Sequence, residues 1–164
     1  MSNFGQLVSQ AYIHDKIHRG ELFTPAYAKA IASSGTLEIC ITTADIVEEL
    51  HISPVIDMAI EAKIEYFIAP VFTAGTIIPA TNRNLNSTNT LGATFVHTPT
   101  ITSPGTLAIQ LLYGAGKTSG GVLRTEELVF VPNTKYLIRV TNLSGSSANN
   151  VTAIFYCYEE EPEY

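Results

Sequence analysis

The sequence has no tryptophan, two cysteines in 164 residues, and few charges of either sign. Charged residues make up 15% of the chain, against roughly a quarter in ordinary globular proteins, so much of its surface must be neutral Thr, Ser and Asn. The nine Lys and Arg are scattered singly. That leaves no basic stripe to follow a phosphate backbone, and it argues against nucleic acid as a partner. No run of about 18 apolar residues occurs, so no membrane-spanning helix and no membrane partner are expected. Residues 1–6 show neither a basic n-region nor an apolar h-region, so no signal peptide is expected and synthesis is placed in the cytoplasm. In that compartment Cys40 and Cys157, far apart in strand-like runs, read as buried free thiols. The N-x-[ST] triplets at Asn86, Asn142 and Asn150 then read as chance matches in polar loops.

What is present is apolar patterning. A hydrophobic content of 46% excludes a disordered chain, and the length suits one core better than two. The net charge of −6 is concentrated partly in Glu159, Glu160, Glu161 and Glu163, which read as a solvated acidic end. Residues 1–34 lack a clear period and read as an N-terminal extended or short-helical arm. Ile13 and Ile17 are spaced for a helix, and Thr24-Pro25 can cap and open a short one over Ala26 to Ser34, ended by Gly35. So short an arm cannot hold itself together and must lie on the domain or on a partner. Tyr12, Ile13, Ile17, Leu22 and Phe23 are its candidate partner contacts.

From Gly35 the period changes to two, and residues 35–164 read as one β-sandwich domain. Leu37, Ile39 and Ile41 alternate with Glu38, Cys40 and Thr42. Strands are expected over Val55 to Ile60 and Lys63 to Ile68, with a short link that suggests an antiparallel hairpin. The acidic stretch from Ala44 to Glu49 can support one helical turn. Beyond an Asn-rich loop from Asn82 to Asn89 come five more strand-like runs: Ala93–Thr98, Thr106–Tyr113, Glu127–Val131, Lys135–Thr141 and Val151–Tyr158. Turn-forming segments separate them, and Asn142 to Asn150 reads as the loop of a terminal hairpin. The last run is apolar on both faces, as a central strand or one covered by a neighbouring subunit would be. About eight strands and little helix predict an all-β, antiparallel sandwich of jelly-roll type.

Catalytic constellations are absent from this text. Tyr113-Gly114-Ala115-Gly116-Lys117-Thr118 has the end of a phosphate loop, but Leu111 stands where the first glycine belongs, and a strand rather than a helix follows. His14 and His18, at i and i+4, can share one helical face, yet Asp15 follows His14 and no third ligand is spaced for zinc. They read as the polar face of the arm. His51 and His97 are isolated, and Glu48-Glu49 and Glu126-Glu127 point to opposite faces if extended. There is no G-x-S-x-G elbow. The reading is a protein that is not an enzyme, with no catalytic, cofactor or metal site.

Five blocks resemble a known group in order and spacing. They are His18-Arg19-Gly20-Glu21-Leu22-Phe23, Gly35-Thr36-Leu37-Glu38-Ile39, Asn82-Arg83-Asn84, His97-Thr98-Pro99-Thr100-Ile101, and the run from Pro132 to Asn142. Together they resemble small tailed-bacteriophage proteins described as virion structural or head decoration proteins. The resemblance extends over nearly the whole chain from about His14. It implies a capsid decoration, or cement, protein at the virion surface, made in the host cytoplasm, with the major capsid protein and copies of itself (as a homotrimer) as partners. It implies no cofactor. A tail, baseplate or fibre adaptor is the alternative within the virion, and a jelly-roll carbohydrate-binding module is the alternative outside it.

Overall fold

A computed structural model describes residues 12–45, 48–113, 121–124 and 126–160. One helix, α1, runs over residues 12–19. Fourteen strands follow among the described residues. The first seven are β1 (Phe23–Ile31), β2 (Thr36–Thr42), β3 (Glu49–Met58), β4 (Ala62–Ile68), β5 (Val71–Thr73), β6 (Thr76–Ile78) and β7 (Ala80–Asn82). The rest are β8 (Thr94–His97), β9 (Thr100–Ser103), β10 (Thr106–Tyr113), β11 (Gly121–Arg124), β12 (Leu128–Phe130), β13 (Lys135–Asn142) and β14 (Asn149–Glu160). The fold is therefore all-β, with every pairing antiparallel, and has more and shorter strands than the eight expected.

The pairings nest. β1 pairs with β14, β2 with β13, β3 with β12 and β11, β4 with β10, β5 with β9, and β6 with β8. The chain thus behaves as one long hairpin whose closed end is the Asn-rich segment between β7 and β8. Lateral pairings roll that hairpin up, with β14 joining β3, β13 joining β4, β1 joining β7 and β2 joining β8. Two six-stranded sheets result. One has the order β11-β3-β14-β1-β7, with β12 also on β3, and the other has the order β10-β4-β13-β2-β8-β6. The β5–β9 ribbon forms a third, two-stranded sheet.

Period-two patterning drives the packing of these sheets. In β3, Leu50, Ile52, Ile56 and Met58 are buried, while His51, Ser53, Val55 and Asp57 lie at the other face. In β14, Val151, Ala153, Phe155 and Cys157 turn to the same interior. They meet Ile39, Ile41, Ile64, Ile138 and Phe95 of the opposite sheet, with the Phe95 and Phe155 ring centroids 5.5 Å apart. Each Val, Ile or Phe among them contributes about 1.5–3 kcal/mol through burial, and Ala153 less. A smaller cluster of Cys40, Phe67 and Leu137 faces outward from the second sheet, and Phe72 and Ile101 of the β5–β9 ribbon pack against it. As its two apolar faces suggested, β14 is central, flanked by β3 and β1.

Several sequence expectations are corrected. Ala26 to Ser34 is not a helix; residues 23–31 form β1, paired with β14 and β7. Alternating alanines favour a helix only locally, and the sheet partners on both sides override that preference. Pro25 pairs with Ala80 of β7 and falls in a gap of the β14 ladder, between Phe23↔Cys157 and Ala26↔Ile154, in keeping with its lack of an N–H to donate. The β domain therefore starts at β1, and residues 23–34 do not belong to an arm that ends at Ser34. β3 and β4 form no hairpin, because the chain crosses between the sheets at residues 59–61. β13 and β14 likewise lie in different sheets. Glu49 belongs to β3, and Ile46 and Val47, on which the proposed helical turn depends, lie outside the described residues.

Two asparagines fix these crossings. The Asn149 carboxamide oxygen accepts the Ala59 and Ile60 N–H groups at 2.9 and 3.2 Å, and its amide donates to the Ile60 carbonyl at 3.1 Å. The Asn142 amide donates to the carbonyls of Ala32 and Ser147 at 3.0 and 2.8 Å. Both side chains are buried and satisfy backbone groups that leave the ladders there.

Candidate assembly surface

The edges of the sandwich differ in chemistry. β10, Thr-Leu-Ala-Ile-Gln-Leu-Leu-Tyr, contains no charged residue and no proline. It pairs with β4 on one side, and its other side carries no strand among the described residues. Proteins usually blunt such an edge with charge, proline or short length. Its one irregularity is a register shift between Leu107 and Ile109. Ile109, Leu111 and Tyr113 lean on the core, whereas Leu107 and Leu112 are 46% and 69% exposed.

Facing this edge, β12 exposes Val129, and Val131 follows it, each at 49%. Between the two edges opens an apolar pocket of about 370 Å³, walled by Ile68, Ala108, Ile109, Val129, Phe130 and Tyr136 among others. The Phe130 and Tyr136 rings stack at 3.8 Å and form its floor, and the Tyr136 hydroxyl accepts the Val131 N–H at 3.0 Å. A concave apolar pocket beside an open strand edge offers both a socket for a side chain and a ladder for a backbone. Periodicity identified β10 as a strand. Its position at an edge depends on long-range pairing, which no local pattern reports.

The residues expected to contact a partner divide into two groups. Leu22 and Phe23 are 2% and 4% exposed and are buried within the chain itself, so they are unavailable to another molecule. Tyr12 and Ile13 are exposed on α1, and Ile17 is half-buried. α1 itself is clamped to the end of β14. The Tyr12 hydroxyl donates to Glu160 at 2.6 Å, and the buried Lys16 ammonium lies 3.0 Å from Glu21 and 3.4 Å from Glu160. The same ammonium sits 5.0 Å from the centre of the Tyr158 ring, which stacks on His51 at 4.7 Å. The Tyr12 hydrogen bond, and after it the charge of Lys16, hold Glu160 below its ordinary value. Burial, followed by the hydrogen bond to Glu127, pushes the Tyr158 phenol up.

The remaining polar residues named from sequence are dispersed. His97 stacks on Tyr27 at 3.9 Å and pairs with Thr98, and His51 lies 3.6 Å from Glu127. His14 and His18 come together, with their Nε2 atoms 3.0 Å apart. Residues 114–120 of the glycine-rich loop lie outside the described residues, as do Glu161 and Glu163. Cys40 and Cys157 are free and buried on different sheets. No helix among the described residues is long and apolar enough to cross a membrane. No protein-family model matches the sequence, and no curated protein matches it significantly.

Proposed function

We propose that this chain is a structural protein of a tailed-phage virion that works without catalysis. In this reading it is a capsid decoration, or cement, protein that binds the assembled head. The observation that carries the reading is the long, uncharged β10 edge beside the apolar pocket, a surface suited to a lasting protein partner. The nested strand pairing supports a jelly-roll description of the sandwich. The resemblance of the blocks from His18 to Asn142 supplies the virion setting. The partners are the major capsid protein and two further copies of this chain, related by threefold symmetry. A decoration protein stabilises by mass action, since it binds the lattice and not the free subunits, and small gains per copy add up over a shell.

The test is sedimentation of purified protein with expanded and with unexpanded capsids. Saturable binding to expanded capsids alone is expected. Equal binding to both, or binding to neither, overturns the cement role. Virions lacking the protein are expected to keep their tails and to lose head integrity at low ionic strength. Intact heads with defective tails would instead assign the protein to the tail or baseplate.

A further inference from the structure

The two imidazoles of α1 stand in an arrangement that the i, i+4 spacing alone does not guarantee. His14 Nε2 and His18 Nε2 are 3.0 Å apart, and the ring planes are inclined by 77°. One imidazole donates a hydrogen bond to the other across this distance. The centroids are only 4.4 Å apart, so the two nitrogen axes converge rather than meet head-on, as those of two ligands of one ion do. Two imidazole nitrogens each about 2.0–2.1 Å from a metal, at angles between square and tetrahedral, stand about 2.9–3.4 Å apart.

The helix backbone under this pair is held in place. Lys16, between the two histidines in sequence, is buried against β14, and the Asn84 amide donates to the His18 carbonyl at 3.1 Å. Asp15 is engaged by Arg19 at 2.9 Å and does not compete for the histidines. Both imidazoles are exposed, so the remaining coordination positions face solvent.

We propose that His14 and His18 form a chelating site for a divalent late-transition ion of the zinc, nickel or copper class, with water in the other positions. The site is independent of the assembly surface and of the virion reading. No third protein ligand is required, in keeping with the lack of any three-ligand cluster among the described residues.

The experiment is calorimetric titration of the untagged full chain with zinc chloride, repeated with nickel chloride. One ion per chain is expected. His14→Ala and His18→Ala are each expected to weaken binding by about a hundredfold or more, the scale of a lost chelate. His97→Ala is expected to bind like the parent, and far-UV circular dichroism checks that all variants remain folded. Absence of saturable binding to the parent protein overturns the proposal. So does a single variant of the pair that binds as the parent does, because two independent histidines would each leave the other's binding intact.

Discussion

The Tyr12 hydroxyl donates a 2.6 Å hydrogen bond to Glu160, a residue 148 positions later, and so ties α1 to the last strand. Lys16 completes the clamp from its buried position between Glu160 and Glu21. Lys16→Ala is expected to cost about 1–2 kcal/mol, less than for a fully buried pair because both carboxylates can rehydrate. Glu160→Gln keeps the acceptor and loses the charge, and is expected to cost less than about 1 kcal/mol. Because Glu160 is held below its ordinary value, its contribution is complete above the unfolded-state value and is lost as pH falls through the folded one. Amide protection factors across α1, taken relative to the intrinsic exchange rate at each pH, should therefore fall on acidification below the usual carboxylate range. The same loss of protection should appear at neutral pH in Lys16→Ala. Unchanged protection in both cases would mean that other contacts hold the helix.

Asn149 carries a larger share of the stability. Its side chain serves two N–H groups and one carbonyl where the chain crosses between sheets, and it is fully buried. Asn149→Ala strands those backbone groups away from water, at about 1–3 kcal/mol for each one left unsatisfied. Partial relaxation should bring the total to about 2–4 kcal/mol, visible as a lower urea midpoint with an unchanged slope. Asn149→Asp keeps the acceptor but loses the amide donor and brings a charge, and it should be no better tolerated.

The thiols offer a test of core closure. Burial pushes Cys40 up to about 12 and raises Cys157 further, so neither holds appreciable thiolate near neutrality. At pH 8 a thiol-disulfide reagent should leave both unmodified in the folded protein and titrate both after unfolding. Rapid reaction of Cys40 in the native state would show that the β5–β9 ribbon does not stay on the outer face of the second sheet.

How much of this was legible in the sequence depended on the range over which each signal acts. β14 and β13 stood out because long runs alternate, and the two apolar faces of β14 correctly implied a central strand. β10 was found with its observed limits, Thr106 to Tyr113. β1 was missed because Ala26, Ala28 and Ala30 carry no side chain large enough to reveal a period of two, while Thr24-Pro25 imitates a helix start. β5, β6 and β9 have only three or four residues, too few for any period to register. The link at residues 59–61 looked like a hairpin turn because length alone cannot tell a turn from a crossing between sheets. The arm contacts fared similarly. Tyr12 and Ile13 stay exposed, whereas Leu22 and Phe23 are drawn inward by a strand that sequence reading did not place there.

The strongest discrimination comes from placing a charge on the β10 edge. Leu112 is 69% exposed and Val129 is 49% exposed, so Leu112→Lys and Val129→Lys should each change stability by no more than about 0.5 kcal/mol. At an interface the same lysine must be desolvated against apolar neighbours, at several kcal/mol. It is also the device by which natural edge strands refuse a partner. Each variant should therefore melt like the parent and yet fail to sediment with expanded capsids, and each should lose any self-association seen by light scattering. Ile77→Lys, at an exposed position on the far edge of the same sheet, serves as the control and should bind normally. If Leu112→Lys and Val129→Lys bind as the parent does while Ile77→Lys fails, the assembly surface lies at the β6 edge and not along β10.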